Sequence, residues 1–186
     1  MLLDEALIAI ATQLNEASIP YMIVGGQAAI YYGETRFTKD IDVTMRLLPD
    51  QCEDVLKKLT AFESMTDHPE TFARDTWVLP LRHRSTGIKV DLIFSATQFE
   101  YDAITNGQRK QIRGTEVNFI APEYLIVQKL IAGRPKDVDD VQKIIQVQKD
   151  RLNIRRIEQM IRQFDDELGQ TDFFQLWKTT IKIDIK

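Results

Sequence analysis

The chain has 186 residues, 44% of them hydrophobic and 28% charged, with a formal net charge of −4. That make-up excludes a disordered chain and leaves no length for two full domains, and the negative balance excludes a surface built to capture long nucleic acid without sequence preference. A single cysteine, Cys52, and two histidines, His68 and His83, exclude an internal disulfide and a zinc cage of the usual ligand types within one chain.

From Asp4 to Ala17, Leu7, Ile10, Ala11 and Leu14 recur at helical spacing, which predicts a helix with one buried stripe. Asp4 and Glu5 stand where an export signal would be basic. No apolar run approaches the roughly 20 residues needed to cross a bilayer, so no membrane contact is expected and the reducing cytoplasm is the expected compartment. Tyr21–Val24 reads as a short buried strand running into Gly25 and Gly26, after which "QAAIYYG" forms a brief helix closed at Gly33.

"DIDVTMRL" alternates from Asp40, with Ile41, Val43 and Met45 on one face and Asp40, Asp42 and Thr44 on the other. "PDQCEDVLKKLTAFE" is expected to form a helix with Pro49 near its start. "TWVLPLRHR", the turn "STG" and "IKVDLIFS" read as a hairpin whose second strand buries Val90, Leu92 and Phe94 and turns Lys89, Asp91 and Ile93 to the opposite face.

A helix from Gln98 to Thr105 and a hairpin about Gly114 complete this half. Beyond Pro122 every segment is helical in pattern. The expected fold class is therefore α/β, with four to six strands over residues 1–121 and a helical part over 122–186 that packs on it. Two basic clusters, Arg109, Lys110 and Arg113 and then Arg151, Arg155 and Arg156, read as solvated faces before they read as binding sites. Phe173, Phe174 and Trp177 read as core before they read as base-stacking platforms.

The chemistry concentrates in "VGGQAAIYYGETRFTKDIDVTM", residues 24–45. Asp40 and Asp42 project side by side from one strand face, and two carboxylates held close repel unless a cation or a proton lies between them. If the strand carrying Asp91 is a neighbour, three carboxylates meet on one patch, which suits Mg²⁺ or Mn²⁺. Two such ions about 3.5–4 Å apart would clamp the attacking and leaving oxygens of a phosphoryl displacement.

Each acid also has a structural explanation: Asp40 capping a turn, Asp42 facing solvent, Asp91 pairing with an arginine. Gly25 and Gly26, between a strand and a helix, would let backbone N–H groups cradle an anion, although a tight turn uses the same residues. Arg36 could grip phosphate or pair with Glu34, and Thr38 lies just ahead of the same strand.

"VGG", the thirteen residues that follow it, "DIDV" and the later "VDL" resemble the nucleotidyltransferase superfamily related to DNA polymerase β. "PEYLIVQKLIAGRPKDVDDVQKI" is similar to the helical motif of its AbiEii-type, toxin-like branch, a lysine followed by an Arg-x-x-Asp-x-x-Asp run. The resemblance covers residues 20–145 and implies a mixed sheet flanked by helices. It implies transfer of a nucleoside monophosphate from an NTP to an acceptor hydroxyl with loss of pyrophosphate, and an RNA acceptor and an antitoxin protein as partners.

It also implies Mg²⁺ or Mn²⁺ held by Asp40, Asp42 and Asp91, a triphosphate seated by Gly25 and Gly26, Lys129 on its phosphates, Asp137 completing the site, and Arg134 and Asp140 in support. For Asp137 the first turn of a helix opened by Pro135 is an equal explanation from the residues themselves. Gln27 stands where many relatives carry a hydroxyl. A catalytically silent NTP-binding module and an antibiotic adenylyltransferase are the two alternatives.

Overall fold

The computed structural model describes residues 2–33 and 38–183. Its elements group into two compact units, Met1–Ala28 with Phe37–Ile120, and Ala29–Arg36 with Ala121–Lys186. In chain order the first unit holds α1 (Leu2–Glu16), β1 (Tyr21–Val24), the start of α2 (Gly25–Tyr32), β2 (Asp40–Met45), α3 (Cys52–Lys58), β3 (Phe62–Ser64) and α4 (Pro69–Thr76). There follow β4 (Val78–His83), β5 (Lys89–Phe94), α5 (Gln98–Thr105), β6 (Gln108–Ile112) and β7 (Thr115–Phe119).

The seven strands form one mixed sheet in the order β3-β4-β5-β2-β1-β7-β6. β2 lies at its centre, parallel to β5 and antiparallel to β1. Alternation places the strands: Ile41, Val43, Val90, Leu92 and Phe94 are buried, while Asp40, Asp42, Lys89, Asp91 and Ile93 lie half-buried on the other face. β1 is buried along its whole length, as suits a short strand between two others. α1 packs on β7 through Leu7, Ile10, Ala11 and Leu14, all buried, and α5 lies against β1 and β2.

Two segments depart from the sequence expectation. The helix expected to run to Glu63 stops at Lys58, because Phe62–Ser64 pairs with β4 as an edge strand. The Ala61 carbonyl accepts from Arg84 N–H and the Ala61 N–H donates to the Gln13 side chain, so tertiary partners outbid helix propensity there. This strand brings the sheet to seven, above the four to six expected. α4 is a further helix with a single buried residue, Ala73.

The second unit holds the rest of α2, then α6 (Pro122–Ala132), α7 (Pro135–Gln148), α8 (Ile154–Leu168) and α9 (Asp172–Ile183). Leu125, Ile126, Val127 and Leu130 of α6, Val141 and Ile144 of α7, Ile157 and Ile161 of α8 and Trp177 of α9 are buried. Phe174 is buried as well, while Phe173 is half-buried, so two of the three α9 aromatics are core. Asp165 of α8 fixes the start of α9 by accepting from the Phe173 and Phe174 N–H groups at 3.2 and 2.9 Å. Among the described residues no helix is long and apolar enough to cross a membrane.

Candidate active site

Strand register assembles the site in the first unit. β2 and β5 pair with Asp40 beside Lys89 and Asp42 beside Asp91. Residues two apart on a strand share a face, so three acids and one base form a two-by-two array at the centre of the sheet. On the other side of β2, Asp42 pairs with Val24, the last residue of β1. The glycine bend therefore begins directly beside the Asp42 carboxylate.

The contact is close. A Cβ on Gly25 would lie 1.9 Å from Asp42 Oδ2, and Gly25 has φ +60°, a conformation that L side chains rarely adopt. Only glycine satisfies both conditions. The Gly26 N–H, at the first turn of α2, donates to the Asp42 carboxylate, so the helix start already holds one anion. Burial pushes the Asp42 carboxyl above the usual carboxylate range, the charges of Asp40 and Asp91 push it further, and the Gly26 N–H and Lys89 pull against them.

Thr38 Oγ1 donates to Asp40 Oδ1 at 3.0 Å and so orients the first acid of the pair. Lys89 Nζ donates to Asp91 Oδ2 at 2.7 Å. The hydrogen bond to Asp91, with the charges of Asp91, Asp40 and Asp42, raises the Lys89 pKa against a smaller opposing effect of burial. Among the described residues no three His, Cys, Asp or Glu side chains are gathered around a common centre that could hold a metal ion. The three aspartates share a face and a register, and the lysine ammonium lies on one of them.

As donors the array still fits a hard divalent cation: it offers only carboxylate oxygens, from three aspartates beside a single lysine ammonium. Beside the bend, the Gln27 side-chain amide nitrogen is buried with no hydrogen-bond partner, an arrangement that costs free energy.

A second charged cluster lies within the second unit. Lys129 of α6 is 5% exposed and donates to Asp137 Oδ1 at 3.1 Å and Asp140 Oδ2 at 2.7 Å. Asp137 and Asp140, three residues apart on α7, face α6 together. Arg134, which precedes Pro135 at the start of α7, also donates to Asp137 through Nε. Burial pushes the Asp137 carboxyl up, but hydrogen bonds from Arg134 and Lys129 outweigh it and hold it below the usual range.

The structure thus brings Asp40, Asp42, Asp91, Gly25, Gly26 and Thr38 together in one unit, and Lys129, Arg134, Asp137 and Asp140 together in the other. Arg36, expected near the phosphates, lies outside the described residues. Sequence reasoning placed Lys89 on the Asp91 face but gave it no role. The signal was its position two residues before Asp91 on a strand.

Comparison with known proteins agrees with the architecture. No curated protein matches the chain. Among solved structures, an antigenic nucleotidyltransferase-like protein from Paracoccidioides brasiliensis is similar at TM-score 0.56 and 18% identity, over 94% of this chain and 91% of that one. The antibiotic-resistance factor ANT(2'')-Ia is similar at TM-score 0.58 and 15% identity, over 91% and 95%. JHP933 from Helicobacter pylori is similar at TM-score 0.51 and 15% identity, over 99% and 89%. Identities this low establish the fold alone. The family is established by the sequence, since residues 3–171 match the group described as nucleotidyl transferase of unknown function (DUF2204); the chain belongs to that nucleotidyl transferase family.

Proposed function

We propose that the protein transfers a nucleoside monophosphate from an NTP to an acceptor hydroxyl with the help of a divalent cation, and that the array on β2 and β5 is where it does so. The observation that carries this reading is the register placing Asp42 between Asp91 and the glycine bend. Asp40, Asp42 and Asp91 would hold Mg²⁺ or Mn²⁺, which when bound supplies the positive charge that a triphosphate and its transition state require.

The remaining work falls to the chain itself. Gly25 and Gly26 let the triphosphate approach the start of α2, and the unpartnered Gln27 amide is a donor available to it. Thr38 keeps Asp40 turned into the array. Asp91 accepts the acceptor's proton as a bond forms from the acceptor oxygen to the α-phosphorus and the bond to pyrophosphate breaks. Catalysis on this reading is chiefly positioning and charge stabilisation.

Lys129 has its charge matched by two buried aspartates, which favours a role for Lys129, Arg134, Asp137 and Asp140 in positioning α6 and α7 over direct phosphate contact. For the acceptor, the toxin-like motif favours an RNA hydroxyl, with an antitoxin as partner. A second reading, a small aminoglycoside acceptor, is favoured by the likeness to ANT(2'')-Ia, which is also known in complex with adenylyl-2''-tobramycin.

The test is pyrophosphate release from each of the four NTPs with Mg²⁺, against RNA and aminoglycoside acceptors. Asp42→Asn should lower turnover by about 10³-fold while circular dichroism shows the fold kept. Full activity in that variant overturns the assignment, and metal-dependent NTP binding without release under any acceptor points to a silent binding module.

A further inference from the structure

In the array, Lys89 stands beside Asp40 across the β2–β5 pair, and its side chain reaches forward along its own strand to Asp91. Its ammonium is thus placed among three carboxylates, on the oxygen that a divalent cation would need. The Lys89 side chain is 44% exposed and Asp91 only 19%, so the lysine is free to swing out while the aspartate stays fixed in the sheet. The pair of Lys57 with Glu53, by contrast, lies in open solvent with both partners 65% exposed, where such pairs contribute little. Lys89 and Asp91 differ in having two further carboxylates behind them.

We propose that Lys89 is a tethered counter-cation whose ion pair with Asp91 and the binding of a divalent cation exclude one another, so that an incoming triphosphate, by taking up the ammonium, frees Asp91 for the metal. The inference rests on the nucleotidyl transfer reading above. Its physical content is that one anion is exchanged for another. In nucleotide-free protein the ammonium offsets part of the array's negative charge. A divalent ion arriving alone must displace that ammonium or sit near it, and a single and a double positive charge about 5 Å apart lower affinity by about tenfold even at the dielectric constant of water. When the ion arrives with a triphosphate, the ammonium has phosphate oxygens to move to. Nucleotide and metal then bind with positive coupling.

The experiment is a calorimetric titration of Mn²⁺ into the wild type, Lys89→Met, Lys89→Arg and Asp42→Asn, each first without nucleotide and then with a non-hydrolysable NTP, and each checked for fold by circular dichroism. Lys89→Met keeps the aliphatic stem and removes the charge. It is expected to bind Mn²⁺ about tenfold more tightly than the wild type without nucleotide, Lys89→Arg is expected to show no such gain, and the NTP is expected to close most of the gap. Equal or weaker Mn²⁺ binding by Lys89→Met, with binding lost in Asp42→Asn, overturns the role of Lys89 and leaves the metal site standing. Absence of Mn²⁺ binding in every form, with and without NTP, overturns the metal reading itself and this inference with it.

Discussion

Gly25→Ala tests the link between backbone and chemistry. The new Cβ would lie 1.9 Å from Asp42 Oδ2 and 2.7 Å from its Cγ, so the Asp42 side chain must swing away. Holding an L residue at φ +60° costs about 1–2 kcal/mol. Losing the Gly26 N–H to Asp42 hydrogen bond, which involves a charge, costs about 1.5–3 kcal/mol. Lower entropy of the unfolded alanine chain returns about 0.4–1 kcal/mol, leaving a net loss of about 2–4 kcal/mol.

Gly87→Ala is the control. That glycine has φ +71° in the β4–β5 turn with nothing within 4 Å of a built Cβ, so it carries the backbone strain of about 1–2 kcal/mol without the collision. Urea midpoints of the two variants and the wild type, read by circular dichroism, separate the two costs. Turnover should fall by about 10²-fold or more in Gly25→Ala, as expected when a catalytic group is misplaced by about 1 Å, and stay at the wild-type level in Gly87→Ala. Equal destabilisation by the two substitutions, with turnover unchanged in both, would refute the account of why this bend is built from glycine.

Two further predictions concern the helical unit. Lys129→Met removes a cation shared by the buried Asp137 and Asp140 carboxylates and should cost about 3–5 kcal/mol in urea unfolding; adding Asp140→Asn should recover part of it, and a loss below about 1 kcal/mol in the single variant would count against a buried pair. Asp137, although burial pushes its carboxyl up, is held below the usual range by Arg134 and Lys129. Its contribution is therefore fully present above the unfolded aspartate value of about 4 and is lost as pH falls from there through the folded value. The stability gap between wild type and Asp137→Asn should be constant above about pH 5 and shrink below pH 4, and a gap that persists undiminished to pH 2 would contradict the assignment.

The sheet and the acids were legible because the signal was periodic. Ile41 with Val43 and Val90 with Leu92 alternate with charged residues, and period two leaves little freedom in which face each side chain takes. The helices of the second unit were legible for the same reason at period 3.6. β3 was not, since three residues with one buried side chain, Phe62, carry no period, and the segment continues a helical pattern until its neighbours claim it. α4 buries only Ala73 and so has no stripe to read.

At the site, local spacing gave the rows and tertiary pairing gave the rest. That Asp40 and Asp42 share a face follows from adjacency in the chain; that Lys89 would close on Asp91 depends on side-chain reach, and that Lys129 would meet Asp137 and Asp140 depends on how α6 and α7 pack. Lys129 could be placed at the edge of a buried stripe. Its partners lie 8 and 11 residues away, beyond the helix-turn spacings that a sequence displays.

Asp42 is where stability and the proposed function pull in opposite directions. The sheet around it is rigid: Val24, Ile41, Val43, Val90 and Leu92 are almost completely buried, so the strands cannot slide apart to let the carboxylates separate. A neutral side chain at this position would spare the fold the crowding that lifts the Asp42 carboxyl, yet the chain keeps the charge and supports it with a glycine that admits no Cβ, a backbone N–H from Gly26 and a lysine from the next strand. A loop could relax away from such repulsion, and its ligands would then have to be regathered each time a cation bound. Fixing the acids on central strands keeps the repulsion permanent, so that on the proposed reading a cation that displaces the Lys89 ammonium gains the relief of that repulsion as affinity.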